Sequence, residues 1–270
     1  MLKALRGIKP PGARRANAPS AAPAGQGPGQ NGGRPPGGPD IQEEAFRVLR
    51  SNLGILLADI EHPAIMITSA QPGEGKTSTA IQLGISMAKG RQRLVMVDLD
   101  LRHPDLHRWL GAHNEFGVTD VLLDRKPLKD CLQYFQVERS GSQGPIGFYF
   151  LATGPPVSEP TELLSTRRLA AMIDGLQKQA DLVLVDTAPV LPVADTLAVG
   201  RIVSGALLVV ETRKTPVGAV TRAKDALTRN QTRLLGVVMN KQQARDADAG
   251  YYGYGYGYGE SAESWESEPS

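Results

Sequence analysis

Cysteine is nearly absent: Cys131 stands alone among 270 residues. That excludes an intramolecular disulfide framework and a cysteine-based zinc site, and it fits a reducing compartment. No apolar run approaches the roughly 18 residues of a membrane span, and the cationic segment 1–9 is followed by Pro and Gly instead of the apolar core of a signal peptide. A soluble, cytoplasmic chain is expected. A large excess of one charge is missing as well: 30 Lys and Arg face 28 Asp and Glu, for a net charge of +2, which argues against a chain that holds nucleic acid simply by being cationic.

What is present is uneven. Residues 1–40 hold six Lys or Arg and one Asp, residues 246–270 hold six Asp or Glu and no Lys or Arg, and 24 basic against 21 acidic residues remain between them. Residues 10–39 are mostly Pro, Gly, Ala and small polar residues, too poor in apolar area to offset their ordering entropy. The expected organisation is a disordered arm over 1–40, one folded domain over 41–245 and a flexible acidic tail over 246–270.

Hydrophobic residues make up 41% of the whole chain, enough for a sizeable buried core. Helical spacing of Ile41, Ala45, Val48, Leu49 and Leu53 predicts a first helix closed by Pro63. Short apolar runs over 64–68, 94–97, 148–151, 182–185, 206–210 and 234–239 then alternate with helical or loop stretches. Runs apolar on both faces belong in a parallel sheet covered by helices, so the fold class is α/β.

The first run leads into Ala70-Gln71-Pro72-Gly73-Glu74-Gly75-Lys76-Thr77 and then a helical pattern. This is a P-loop with Ala in the first Gly position. Small residues let successive backbone N–H groups curl around a phosphate, Lys76 reaches the outer phosphates, and Thr77 offers its hydroxyl to Mg²⁺ at a helix N-terminus. Gln71, Pro72, Gly73, Glu74, Gly75, Lys76, Thr77 and Ser78 are therefore the expected nucleotide-binding residues. Two further strands end in acids, Asp98-Leu99-Asp100-Leu101-Arg102 and Asp186-Thr187-Ala188-Pro189. Ligands of open α/β sheets bind at the carboxyl ends of strands, so these carboxylates should face the phosphates. Asp186 suits the Mg²⁺ shell; Asp98 and Asp100 can hold metal, take a proton from an attacking hydroxyl, or divide the two tasks. His103 and His107, separated by Pro104 and lacking a clear third partner, are read as solvated or capping residues.

Taken together, SAQPGEGKTST, VMVDLDLRHPDLH and LVLVDTAPV resemble the bacterial protein-tyrosine kinases (BY-kinases) encoded with capsular and exopolysaccharide machinery. The resemblance runs from about Ile41 to Lys241, plus the tail. It implies a P-loop NTPase fold of the MinD/ParA-like branch, mainly parallel with helices on both faces, and an active site of Lys76, Asp98, Asp100 and Asp186. ATP and Mg²⁺ are the implied cofactors, with Thr77, Asp98 and Asp186 at the metal and Asn240 at the adenine ring. Glu44, Arg47 and Arg50 match the family's Glu-x-x-Arg-x-x-Arg helix, implied to bind a neighbouring subunit in a ring. Ala188 departs from the first of two usual prolines, and Glu159 stands where Asn is common.

The stretch 250–259 reads GYYGYGYGYG and holds five of the seven tyrosines. On a glycine tether, Tyr251, Tyr252, Tyr254, Tyr256 and Tyr258 can reach the active site of an adjacent subunit at high effective concentration. The expected function is an ATP-dependent tyrosine autokinase that regulates capsular or exopolysaccharide synthesis and export. By resemblance it works with a transmembrane polysaccharide co-polymerase as activator, sits through that activator at the inner face of the plasma membrane, and is reversed by a cognate phosphatase; no nucleic-acid partner is expected. The alternative is a MinD/ParA-like ATPase switch without significant kinase activity. Those ATPases carry a second lysine early in the P-loop, where this chain has Gln71, and lack a terminal tyrosine cluster.

Overall fold

A computed structural model describes residues 41–137 and 146–242. The arm and the tyrosine cluster lie outside the described residues. The chain partitions between Asn240 and Lys241 into two units, and every element below belongs to the first.

The elements follow in the order α1 (Ile41–Leu56), β1 (Ala64–Ser69), α2 (Lys76–Lys89), β2 (Leu94–Asp98), α3 (Leu106–Trp109), α4 (Val118–Leu122), α5 (Leu128–Cys131), β3 (Leu132–Val137), β4 (Ile146–Leu151), α6 (Pro160–Leu164), α7 (Arg167–Gln177), β5 (Leu182–Asp186), α8 (Asp195–Gly200), β6 (Gly205–Glu211), α9 (Val217–Arg229) and β7 (Leu234–Asn240). The seven strands form one sheet in the order β3-β4-β2-β5-β1-β6-β7. Every pairing is parallel except β3 with β4.

β1, β2 and β5 are buried along their whole length, because both faces of the sheet are covered. One face packs Val95, Val97, Val183 and Val185 against Leu169, Ile173 and Leu176 of α7 and Ala219, Ala223 and Leu227 of α9. The other packs Ile65, Ile67, Met96 and Leu184 against Leu83 and Met87 of α2 and Leu53 of α1.

Six of the seven strands coincide with the apolar runs of the sequence. β3 does not. Its sequence, LQYFQV, mixes polar and apolar residues because it is an edge strand running antiparallel to β4, with Tyr134 packed edge-on against Tyr149 at 5.3 Å between ring centres. The expected face of α1 also differs in detail. Leu53 is buried, with Phe46 and Leu49 packed beside it, while Ile41, Val48 and Ile55 are exposed. These three residues, seven apart, leave a solvent-facing apolar stripe on the helix.

Hydrogen bonds fix α1 to the end of α2: the Arg50 guanidinium donates to the Ser86 carbonyl, and the Ser86 hydroxyl donates to the Phe46 carbonyl at 3.2 Å. Lys89 pairs with Glu43 at 2.6 Å.

Candidate active site

Parallel strands bring their carboxyl ends to one side of the sheet. β2 and β5 are neighbours, and their register places Asp98 directly opposite Asp186. Adjacent strands lie about 4.8 Å apart, so two acids are forced side by side by strand pairing alone. β1, on the other side of β5, ends at Ser69 and delivers the P-loop to the same place.

The loop closes through Gly73 and Gly75, with φ of 82° and 94°, in the left-handed region that favours glycine. Lys76 then begins α2, and its side chain turns back over the sheet end. Its Nζ lies 2.8 Å from Asp100 Oδ2, 3.9 Å from Asp186 Oδ1 and 3.4 Å from Thr77 Oγ1. Burial works against the ammonium, but Asp186, Asp100 and Asp98 outweigh it and hold Lys76 above its ordinary value.

The three carboxylates are buried and differently engaged. Asp98 Oδ1 accepts the Asp100 N–H at 3.1 Å and Oδ2 accepts the Leu106 N–H at 3.2 Å, so Asp98 folds its own loop around itself. Asp100 accepts the His103 N–H on one oxygen and meets Lys76 with the other. Asp186 keeps Oδ1 buried and without a hydrogen bond. Desolvation pushes Asp186 up to about 6 against the pull of Lys76 and of a hydrogen bond from Thr77. Asp98 is raised well above the carboxylate range by burial and by the neighbouring Asp186.

An orphaned buried carboxylate oxygen beside a threonine hydroxyl at a helix N-terminus suits a hydrated Mg²⁺ on a bound nucleotide. Thr77 and Asp186 would hold it. Among the described residues no group of three or more His, Cys, Asp or Glu is arranged to bind a metal by itself, so an ion held there would need phosphate oxygens and water as further ligands.

Not every residue of the P-loop faces the phosphate. The Gln71 N–H donates to Glu74 Oε2 at 3.0 Å, inside the loop, and the Glu74 side chain is buried. Asn240, at the end of β7, donates from Nδ2 to the Glu74 carbonyl at 2.9 Å. It packs so closely that a Cβ on Gly75 would sit 2.0 Å from that nitrogen.

The expected oligomerisation residues lie on α1, apart from this cluster. Glu44 and Arg47 pair with each other across one helical turn, and Arg50 is engaged with α2 of its own chain.

Sequence reasoning gave no role to the residues bracing this site. Arg102 donates from Nε to Asp195 Oδ2 at 2.6 Å and from Nη2 to Asp195 Oδ1 at 3.2 Å and Thr161 Oγ1 at 3.1 Å. These bonds, with one from Thr161, hold the buried Asp195 carboxyl below its ordinary range despite desolvation. The signal available in sequence was the arginine that ends Asp-x-Asp-x-Arg and a lone acid in the apolar stretch LPVADTLAV. At Ala188, where a proline was expected, the turn is kept by hydroxyls of Thr68 and Thr196 donating to its carbonyl at 2.9 and 2.6 Å.

No protein-family model matches the chain. The tyrosine-protein kinase YwqD of Bacillus subtilis is 32% identical over 214 residues, which are 79% of this chain and 87% of YwqD. The putative tyrosine-protein kinase AmsA of Erwinia amylovora is 32% identical over 77% of this chain, which spans only 28% of AmsA. Among solved structures, the kinase domain of Escherichia coli tyrosine kinase ETK superposes with a TM-score of 0.67 at 29% identity, covering 78% of this chain and 80% of that one. The chimerical protein CapA2B2 gives 0.66 at 28% identity, covering 74% and 84%. The septum site-determining protein MinD of Pyrococcus horikoshii, complexed with Mg-ADP, gives 0.55 at 22% identity over 68% and 72%, a likeness of fold alone. With a P-loop, two acid-tipped strands meeting at Lys76 and a relative covered over most of its length, this chain belongs to the bacterial tyrosine-protein kinases, enzymes built on the P-loop NTPase fold.

Proposed function

We propose that the chain is an ATP-dependent autokinase that phosphorylates the tyrosines of its own C-terminal cluster between subunits. The observation that carries this reading is the convergence of Lys76, Thr77, Asp98, Asp100 and Asp186 at one end of the sheet, in a chain whose tail holds Tyr251, Tyr252, Tyr254, Tyr256 and Tyr258. A phenol oxygen attacks the γ-phosphorus of ATP, the bond to the β-phosphate oxygen breaks, ADP leaves, and the phenolic proton passes to a carboxylate. Mg²⁺ supplies charge neutralisation at the phosphates. Lys76 stabilises charge on the transferred group. Asp100 is the favoured proton acceptor: its Oδ2 takes no backbone N–H and lies against Lys76, whereas both oxygens of Asp98 accept backbone N–H groups of its own loop.

Asn240 supports ATP over GTP. Its Nδ2 is committed to the Glu74 carbonyl, which leaves Oδ1 as an acceptor for the exocyclic amine of adenine; guanine presents an oxygen there. ADP should bind at least ~10-fold tighter than GDP by calorimetry. Equal affinities would remove Asn240 from the base site.

The exposed apolar stripe on α1, beside the Glu44–Arg47 pair, supports assembly into a ring through this helix. Control of capsular or exopolysaccharide synthesis, a membrane-bound co-polymerase as activator and a cognate phosphatase complete the proposal. Among the described residues no helix is long and apolar enough to cross a membrane.

The test is the mass of the tail peptide from chain isolated out of its native cells, beside a Lys76→Ala strain. Several phosphate-sized increments on the wild-type tail, absent from the variant, are expected. An unmodified tail during active polysaccharide synthesis would overturn the autokinase and leave an ATPase switch.

A further inference from the structure

The P-loop carries a carboxylate, Glu74, in the place where phosphate is to bind, and a free anion there would repel the ligand. Glu74 is turned inward instead, 3% exposed. Three donors from three segments hold it. Within the loop, the Gln71 N–H reaches Oε2 at 3.0 Å. From the turn after β6, the Thr215 hydroxyl donates to Oε1. From the end of β7, the Asn240 amide donates to the backbone carbonyl at 2.9 Å.

Thr215 is itself oriented. Its Oγ1 accepts the Glu211 N–H at 2.9 Å, which directs the hydroxyl proton away from Glu211, and its own N–H closes the turn on the Glu211 carbonyl at 3.0 Å. Thr215 lies outside both apolar cores and 141 residues from Glu74 in sequence, so this contact exists only because β6 and β1 pair in the sheet.

We propose that Thr215 is a positioning residue for nucleotide binding: it latches the Glu74 carboxylate away from the phosphate cradle, so that the turn after β6 sets the affinity of the P-loop. This rests on the reading that nucleotide phosphates occupy the loop. Without the Thr215 hydroxyl, Oε1 is a buried acceptor lacking its donor, and the carboxylate regains its missing bonds by swinging outward to water, beside the phosphates. Affinity then falls by charge repulsion, whereas the chemistry at Lys76 and Asp100 is untouched.

Calorimetric titration of Mg·ADP into the full chain tests this, with Thr215→Val, Thr215→Ser, and Thr215→Val combined with Glu74→Gln. Thr215→Val should raise Kd roughly 10-fold, and Thr215→Ser, which keeps the hydroxyl, should stay near wild type. The deficit of Thr215→Val should shrink as salt rises from 0.05 to about 0.5 M, because screening weakens an exposed charge pair. Adding Glu74→Gln should recover most of the lost affinity, since the released side chain is then neutral. In activity assays Thr215→Val should raise KM for nucleotide and leave kcat within about twofold. Thermal melts without ligand confirm the fold, and Thr215→Ala carries the same comparison if valine disturbs it. Wild-type affinity in Thr215→Val, or a loss indifferent to both salt and Glu74→Gln, overturns the latch. Failure of the wild type to bind Mg·ADP would instead sink the nucleotide reading on which it stands.

Discussion

Asp186 is a residue whose ionisation the fold makes difficult, and its consequences for stability have a definite sign. Its carboxyl is pushed up to about 6, chiefly by desolvation, while an unfolded chain releases that proton near pH 4. Between those values the folded chain holds a proton that the unfolded chain has lost, so stability falls as pH rises from about 4 to about 6 and stays lower above it. Asp186→Asn should therefore stabilise the ligand-free protein at pH 7.5 by on the order of 1–3 kcal/mol, with little gain at pH 4, in urea melts at the two pH values. A variant less stable than wild type at pH 7.5 would contradict the desolvation argument. Asp98 and Asp100 should separate in a similar comparison. Asp98→Asn exchanges an oxygen that accepts a backbone N–H for an amide nitrogen that cannot, so it should lower the melting temperature by several degrees and disturb the loop. Asp100→Asn keeps Oδ1 for the His103 N–H but turns an amide nitrogen toward buried Lys76, so it should lower the melting temperature without disturbing the loop, while reducing tail phosphorylation at least ~100-fold.

At the scale of elements, α1 has two claims on it, and Arg50 distinguishes them. Its guanidinium bonds the Ser86 carbonyl near the last turn of α2, a position that also favours cations through the helix dipole. Arg50→Ala should cost about 1–2 kcal/mol of stability in urea unfolding of the monomer. Arg47 pairs with Glu44 across one helical turn, and Arg47→Glu should dissociate the proposed ring in light scattering. A ring that survives Arg47→Glu would leave Arg50 as an intrachain anchor and move the subunit contact away from this helix. The elements legible in sequence were those whose local pattern and final environment agree. The interior strands read as continuous apolar runs because both faces are covered; β3 was hidden because, at an antiparallel edge, it is only partly covered, with half-buried Gln133 and Gln136 interrupting Phe135 and Val137 and the Gln133 amide bonded to the His113 backbone.

For the whole molecule, phosphorylation between subunits is tested by mixing. A chain carrying Lys76→Ala with its tail intact should gain phosphate when combined with a chain whose five tail tyrosines are changed to Phe, since one supplies the site and the other the phenols. A mixture that gains no phosphate, while the wild type alone is phosphorylated, would place the reaction within one subunit.

The amino-acid sequence alone determined the chemistry: a P-loop followed by a helix, two apolar strands each ending in aspartate, and a tail dense in tyrosine. Those signals are local, since each depends on residues within a few positions of one another. Only the tertiary structure decided how the charged groups divide their work. Asp98 and Asp100 are two residues apart and alike in sequence, yet the N–H groups of Asp100 and Leu106 occupy both oxygens of Asp98, whereas Asp100 gives one oxygen to the His103 N–H and turns the other to Lys76. Glu74 with Thr215, and Arg102 with Asp195, are joined across 141 and 93 residues, by a sheet whose strand order is not the chain order. Such contacts leave no periodic trace in a sequence, because pairing and burial, not spacing, bring the partners together.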